Sequence, residues 1–442
     1  MAIQQDILKA LGFESLTLMQ SKMHERASQA SGIVLLSPTG SGKTLAFLLP
    51  LVEQLNTSLD TLQAVVIVPT RELAQQIEDV LRSMKTSVRF VALYGGRPAL
   101  QEHRVLKDVK PHVVIATPGR LGDHLRKGNV NAMGIKFLVI DEFDKCLELG
   151  FQEEMQNIVQ QIKGIQKCWL MSATDSEEIP AFMNKVTPDF EKLDYSVNQE
   201  ELQQRMEIMQ VVSPVKDKLE ILASLLNYIH GEPTIVFVAH RESVERVGDF
   251  LNSKGFYVSK YHGGMEQEIR ERALYRFRNG SANVLISTDL AARGLDIPEV
   301  RAVIHYHLPL KPEEFTHRNG RTARWDSEGI IYMITGPEEK VPEYVESSEV
   351  VDIPETPLRI IPPRFLTIYI GRGKQDKLSK GDILGFLCKK GGLKSAEIGR
   401  IDVASHASYA AILRSKAKNV LKQIAGEKIK GMKTIFEETK KY

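Results

Sequence analysis

The sequence predicts an α/β chain: two tandem parallel-sheet domains followed by a small α+β domain. Three observations carry this. Apolar runs of four or five residues, each stopped by a polar or helix-starting residue, recur as far as Tyr306 with helical patterns between them, as buried parallel strands do. At 442 residues the chain is too long for one core. The charge also divides: the net +2 resolves into +11 over Arg364 to Tyr442, where 18 Lys and Arg face 7 Asp and Glu, and −9 before it.

The first strand, Ile33-Val34-Leu35-Leu36, runs into Ser37-Pro38-Thr39-Gly40-Ser41-Gly42-Lys43-Thr44, and a helix opens at Leu45-Ala46-Phe47. Strand, Gly-rich loop and helix form the context of a phosphate-binding loop, in which backbone N–H groups and the helix N-terminus surround nucleotide phosphates. Lys43 is expected on the phosphates and the Thr44 hydroxyl on Mg²⁺. Four further strands follow. Ala64 to Val68 stops at Pro69, Val113 to Ala116 at Thr117-Pro118, Phe137 to Ile140 at Asp141, and Cys168 to Met171 at Ser172. Functional residues collect where such strands stop. Asp141 and Glu142, about 100 residues after the loop, are read as metal holder and general base for an attacking water.

A second set of strands spans Thr234 to Val238, Tyr257 to Tyr261, Asn283 to Ser287 and Ala302 to Tyr306, with helices over Ser243 to Lys254 and Gln267 to Arg278. No Gly-Lys-Thr loop occurs here. The contribution expected from this half is His317-Arg318-Asn319-Gly320-Arg321-Thr322-Ala323-Arg324, whose arginines repeat every three residues, with Arg321 and Arg324 as arginine fingers for a γ-phosphate. Pro337 to Ile361 holds 7 acidic and 2 basic residues and reads as an acidic connector. The basic tail then follows the order βαββαβ: strands at Leu366 to Gly371, Ile398 to Val403, Ser408 to Leu413 and Lys433 to Phe436, with helices at Lys380 to Lys389 and Lys416 to Ala425. That order is RRM-like, and a basic module of this size points to a polyanion, most often nucleic acid.

Composition excludes several classes. Hydrophobic content of 43% and charge of 26% are ordinary for a globular protein, and no apolar run approaches the roughly 20 residues that cross a bilayer, so no membrane partner is expected. The N-terminus shows no basic segment followed by an apolar one, and Cys146, Cys168 and Cys388 are scattered and odd in number. Reduced thiols and a cytoplasmic location are therefore expected, without a disulfide framework or zinc site.

Taken together, the motifs resemble those of the DEAD-box ATP-dependent RNA helicases, from about Gly12 to Arg324. The resemblance implies two RecA-like domains, ATP with Mg²⁺ as cofactors, and RNA as partner. Gly12-Phe13 through Thr17 to Gln20 is similar to the family's adenine-reading motif, implying nucleotide contacts from Phe13 and Gln20 as well as from Ser37, Thr39, Gly40, Ser41, Gly42, Lys43, Thr44, Gly294 and Asp296. RNA contacts are implied for Pro69, Thr70, Arg71, Gly95, Gly96, Thr117, Pro118, Gly119 and Arg120, and in the second domain for Gln267, Arg270 and Thr288. Asp144, Ser172, Thr174 and His317 are implied to couple hydrolysis to strand separation, with catalysis resting on Lys43, Asp141, Glu142, Arg321 and Arg324. The tail resembles the RNA-binding domain of bacterial DbpA-type helicases, which implies a hairpin of large-subunit ribosomal RNA as target, ribosome assembly as the process and pre-ribosomal particles as partners.

The sequence departs from the family at three places. Phe143 stands where the name-giving alanine does, Ile3 where an aromatic is usual about 17 positions before Gln20, and Asn319 and Ala323 vary the arginine motif. Only Tyr369 and Tyr409 are candidates to stack bases on the tail's sheet, so a basic groove of Arg372, Lys374, Arg400, Lys428, Lys430 and Lys433 is the expected RNA surface. Boundaries are expected at 1–195 and 214–340 for the two large domains, with linkers at 196–213 and 341–362 and the tail domain at 363–442. A monomer is favoured. An ATP-dependent RNA clamp with impaired turnover, a general RNA chaperone in cold adaptation or RNA decay, and a DNA helicase of the same superfamily stand as alternatives.

Overall fold

A computed structural model describes residues 2–38, 40–96, 99–174, 179–196, 206–291, 297, 300–322, 329–345, 348–354, 356–404 and 406–439. The chain divides into two compact units, one holding the described residues up to 196 and the other those from 206 onward.

The first unit is built on seven parallel strands: β1 Gly32–Leu36, β2 Ala64–Ile67, β3 Phe90–Leu93, β4 Val113–Ala116, β5 Phe137–Ile140, β6 Lys167–Ser172 and β7 Glu191–Asp194. Their spatial order is β3-β4-β2-β5-β6-β1-β7. Alternate residues of each strand point to opposite faces. Ile33, Leu35, Val66, Val139 and Trp169 therefore join one buried cluster, and Val65, Ile67, Leu138, Ile140 and Leu170 the other. Each such side chain contributes about 1.5–3 kcal/mol by leaving water. Because all strands run in parallel, the ends at Ser37, Val68, Thr117, Asp141 and Ala173 fall along one edge of the sheet.

The second unit carries a like sheet of β8 Met206–Val212, β9 Thr234–Phe237, β10 Val258–Tyr261, β11 Val284–Ser287, β12 Ala302–His305, β13 Gly329–Thr335 and β14 Glu349–Val350, in the order β10-β11-β9-β12-β13-β8-β14. The same unit includes the tail's antiparallel sheet, β15 Phe365–Ile370, β16 Ile398–Val403, β17 Ser408–Leu413 and β20 Phe436–Glu438, ordered β16-β17-β15-β20. Helices Lys380–Lys389 and Arg414–Ile424 cover the face holding Leu366, Ile368, Ile370 and Ile412.

Several expectations change. Residues 206–212, read as linker, form a strand paired with β13 along its whole length. The connector is also bound down: β14 pairs with β8, and the Asn227 side chain accepts from the Arg359 amide at 2.7 Å and donates to Thr356 Oγ1 at 3.1 Å. The last strand begins at Phe436, not Lys433. Lys430 and Gly431 take φ of 49° and 78°, the two left-handed positions of a tight hairpin turn, and this turn joins β18 Lys428–Ile429 to β19 Met432–Lys433.

Candidate functional site

The phosphate loop leaves β1 at Ser37, and its helix starts at Lys43. Gly40 and Gly42 adopt φ of 86° and 90°, which L side chains reach only at a cost. A Cβ at Gly42 would stand 2.6 Å from Gln20 Nε2, so the loop and the adenine motif are packed together. The same Gln20 amide donates to Gly42 O at 3.3 Å, and its Oε1 accepts from the Thr17 amide in a capping box that starts helix Leu18–Gln29. Phe13, at 55% exposure, lies at the surface. The Lys43 ammonium donates to the carbonyls of Ser37 and Pro38, the latter at 2.8 Å. Ser41 Oγ is buried without a hydrogen-bond partner among the described residues, a hydroxyl suited to an incoming phosphate oxygen.

Two strands away, β5 delivers Asp141. Burial pushes its carboxyl up to about 6, against the opposing pull of the Lys43 ammonium. One buried carboxylate facing the Lys43 ammonium suits Mg²⁺, which takes few protein ligands and fills its shell with substrate phosphate and water. Among the described residues there is no cluster of three or more His, Cys, Asp or Glu that would form an all-protein cage. Glu142 sits at φ 49°, ψ 53°, a left-handed conformation that costs a non-glycine residue about 1–2 kcal/mol, and it caps helix Phe143–Glu148. Such strain is typical where a turn must aim a side chain.

The Phe143 ring, which had to find room beside this turn, is 1% exposed and belongs to the apolar cluster with Val65, Ile67, Ala116 and Met155. It points into the core and leaves its neighbour in place: Thr174 Oγ1 donates to Asp144 Oδ2 at 2.9 Å, and Ser172 Oγ to the Thr174 carbonyl at 2.6 Å. The Asp141–Asp144 turn and the Ser172–Thr174 turn are thus bonded directly.

The residues assigned to RNA in this unit lie at the ends of β2, β3 and β4. Thr70 caps helix Arg71–Ser83, accepting from the Leu73 amide. Arg71 reaches Gly95 and Gly96, where a Cβ would meet its guanidinium at 3.1 and 2.7 Å, which explains the paired glycines. Pro69 and Pro118 are buried, Gly119 is exposed, and Thr117 precedes helix Pro118–Arg126. Sequence reasoning missed Glu102. This buried carboxylate lies 3.1 Å from Arg120 Nε and 2.9 Å from His124 Nε2, and accepts from the Tyr94 amide at 3.3 Å. Its only signal was an acid on the apolar side of helix Ala99–Val109, one turn before Leu106.

In the second unit, Gln267 and Arg270 open helix Gln267–Arg278. Gln267 bonds Glu271 at 3.2 Å, and Arg270 lies over the Tyr261 ring at 5.6 Å. The arginine motif is less uniform than its spacing suggested. Helix Pro312–Asn319 ends before Arg321, and Arg318 turns to Asp289, its Nε 2.6 Å from Oδ1. That ion pair ties the motif to the segment bearing Thr288. Arg321 is 1% exposed and His317 3%. Asn319 was read as a small variation; its Oδ1 lies 2.9 Å from His305 Nε2. Burial, with help from Arg318, holds the His305 imidazole down at about 3, so the ring is neutral and Nε2 carries the proton that Asn319 accepts. Thr39, Gly294, Asp296 and Arg324 lie outside the described residues.

Comparison with known proteins gives matches along the chain. The DEAD/DEAH box helicase model matches residues 17–182, the helicase conserved C-terminal domain 217–326, and the DbpA RNA binding domain 367–438. The ATP-dependent RNA helicase DbpA of Escherichia coli (strain K12) is 34% identical over 435 residues, covering 96% of this chain and 94% of that protein. Its Bacillus subtilis (strain 168) counterpart is 31% identical over 465 residues, covering 97% and 96%. Among solved structures, S. cerevisiae Dbp5 bound to RNA and ADP BeF3 aligns with a TM-score of 0.68 at 25% identity, covering 76% of this chain and 88% of that one. Mss116p bound to ssRNA and AMP-PNP aligns with a TM-score of 0.68 at 27% identity, covering 76% and 72%.

Proposed function

Since the chain belongs to the DEAD-box ATP-dependent RNA helicases of the DbpA type, with the ATP hydrolysis that this entails, we propose that it locally separates short RNA duplexes and remodels large-subunit ribosomal RNA during ribosome assembly. The observation that carries the reading is the bond between Asp144 and Thr174, which links the hydrolytic turn to the Ser-Ala-Thr turn.

Lys43 and the loop amides bind the β- and γ-phosphates, and Gln20, already bonded to Gly42, reads the base. Thr44 and Asp141 would hold Mg²⁺, which neutralises charge developing on the transferred phosphoryl group. Glu142 orients the attacking water and takes its proton, and we assign Arg321 and Arg324 to the charge at the γ-phosphate. Pro69, Thr70, Arg71, Gly95, Gly96, Thr117 to Arg120, Gln267, Arg270 and Thr288 grip sugar and phosphate, contacts that do not distinguish base sequence. Selectivity for the ribosomal hairpin then falls to the tail domain, in a cytoplasmic setting and with pre-ribosomal particles as the partners.

The test is steady-state ATP hydrolysis by the full chain without RNA, with unstructured RNA, with DNA of the same sequence, and with a large-subunit fragment containing the hairpin. Strongest stimulation by the fragment supports the proposal. Equal stimulation by every RNA leaves a general chaperone, stimulation by DNA a DNA helicase, and binding of ATP without stimulated turnover a clamp.

A further inference from the structure

We propose that the C-terminal domain is a positioning element for Gln267 and Arg270: by docking along helix Gln267–Arg278 it fixes the helix that presents both side chains. The inference rests on the RNA-contact role proposed above for this pair.

Arg272, Tyr275 and Asn279 repeat at three and four residues and so share one face of the helix and its C-cap. Each meets the C-terminal sheet. The Arg272 guanidinium lies over the Tyr369 ring at 5.5 Å, Tyr275 packs on Tyr409 with centroids 4.6 Å apart at 30°, and Asn279 Nδ2 donates to Thr367 Oγ1 at 2.9 Å. Thr367, Tyr369 and Tyr409 belong to the row of β15 and β17 opposite the domain's own core, and it is on this face that an RRM-like sheet ordinarily stacks bases. Here helix Gln267–Arg278 covers it. A second anchor lies beside the helix: Arg414 stacks over Tyr257 at 4.5 Å and donates to the carbonyls of Phe365 at 2.8 Å and Ser281 at 3.3 Å.

A helix of twelve residues is marginal in water and takes its order from what it packs against. On its other face Ala273, Leu274 and Phe277 are buried, so the helix is held between the parallel sheet and the C-terminal domain. Its first turn carries Gln267 and Arg270, and placement of such groups matters at the scale of about 0.5 Å. Loosening the docked face therefore loosens the RNA-contact pair, although Arg272, Tyr275 and Asn279 are themselves assigned to no RNA contact.

The experiment uses the full chain with Arg272→Ala, Tyr275→Ala and Asn279→Ala, and an unstructured uridine-rich RNA that offers the C-terminal domain no hairpin. Amide exchange over residues 267–271 is expected to quicken about tenfold, and the half-saturating RNA concentration for ATP hydrolysis to rise about fivefold. ATP affinity without RNA stays unchanged, and Tyr275→Phe, which keeps the stacked ring, restores both values. Because the effect passes through Gln267 and Arg270, Arg272→Ala adds nothing further in a Gln267→Ala/Arg270→Ala background. Unchanged exchange overturns the proposal, as does an Arg272→Ala effect that multiplies onto the Gln267→Ala/Arg270→Ala background. If exchange quickens as expected but Gln267→Ala with Arg270→Ala leaves RNA affinity intact, the docking stands and the RNA-contact assignment fails, taking the positioning role with it.

Discussion

Phe143→Ala gives residues 141–144 the Asp-Glu-Ala-Asp spelling for which the family is named, and the structure predicts that it harms this chain. The ring is 1% exposed within the cluster that includes Ile67, Ala116, Cys146 and Met155. Deleting it removes a buried aromatic and leaves a cavity that neighbouring strands are too constrained to close, a loss of about 3–4 kcal/mol. For a domain of about 200 residues, where 1 kcal/mol moves the midpoint by about 2–4 °C, that is a fall of about 10 °C in thermal midpoint. The assay is thermal unfolding followed through tryptophan fluorescence, with Trp169 buried in the same sheet as a reporter. RNA-stimulated hydrolysis, measured well below the midpoint, should stay within about threefold of wild type, since Asp144 and Thr174 keep their bond. An unchanged midpoint would refute the packing argument. Lost hydrolysis at an unchanged midpoint would mean that the ring acts on coupling instead.

Gly42→Ala is expected to abolish ATP binding in an equilibrium titration, because the new Cβ meets both a left-handed φ and the Gln20 amide at 2.6 Å. His305 is buried and neutral with its folded value near 3, far below the unfolded value of about 6.5, so the unfolded chain binds the extra proton in acid. Stability from this group is complete above about pH 6.5 and falls by about 3 kcal/mol on the way to pH 4, and His305→Gln should flatten that limb in urea titrations of the second unit. Asn227→Ala removes the acceptor for Arg359 N and the donor to Thr356, at a cost of about 1–2 kcal/mol. Limited proteolysis should then cut between residues 340 and 362 faster than in wild type.

What the sequence made legible was local. The strands entering Ser37, Pro69, Thr117, Asp141 and Ser172 are short, continuous and apolar, and each announces the residue at its end. Strand β8 was hidden because Met206–Val212 mixes Glu207 and Gln210 with apolar residues; only its pairing with β13, more than a hundred residues later, makes it a strand. Two-residue β14 carries no pattern at all. The docking of the C-terminal domain was equally unreadable, since Tyr369 and Tyr409 look alike whether they await bases or meet Arg272 and Tyr275. Asn319 had no meaning until the fold brought His305 to it.

The carboxylate of Glu102 gathers Arg120, His124 and the Tyr94 amide. Two stretches on either side of it in the chain, the end of β3 and helix Pro118–Arg126, thereby share one acceptor, so the residues beside it do not vary independently. Substitutions at 94–96 and 117–124 should show strong epistasis, with the outcome at one site depending on the residue at another. A mutational survey would find position 102, which belongs to no recognisable motif, as intolerant as the motifs on either side of it.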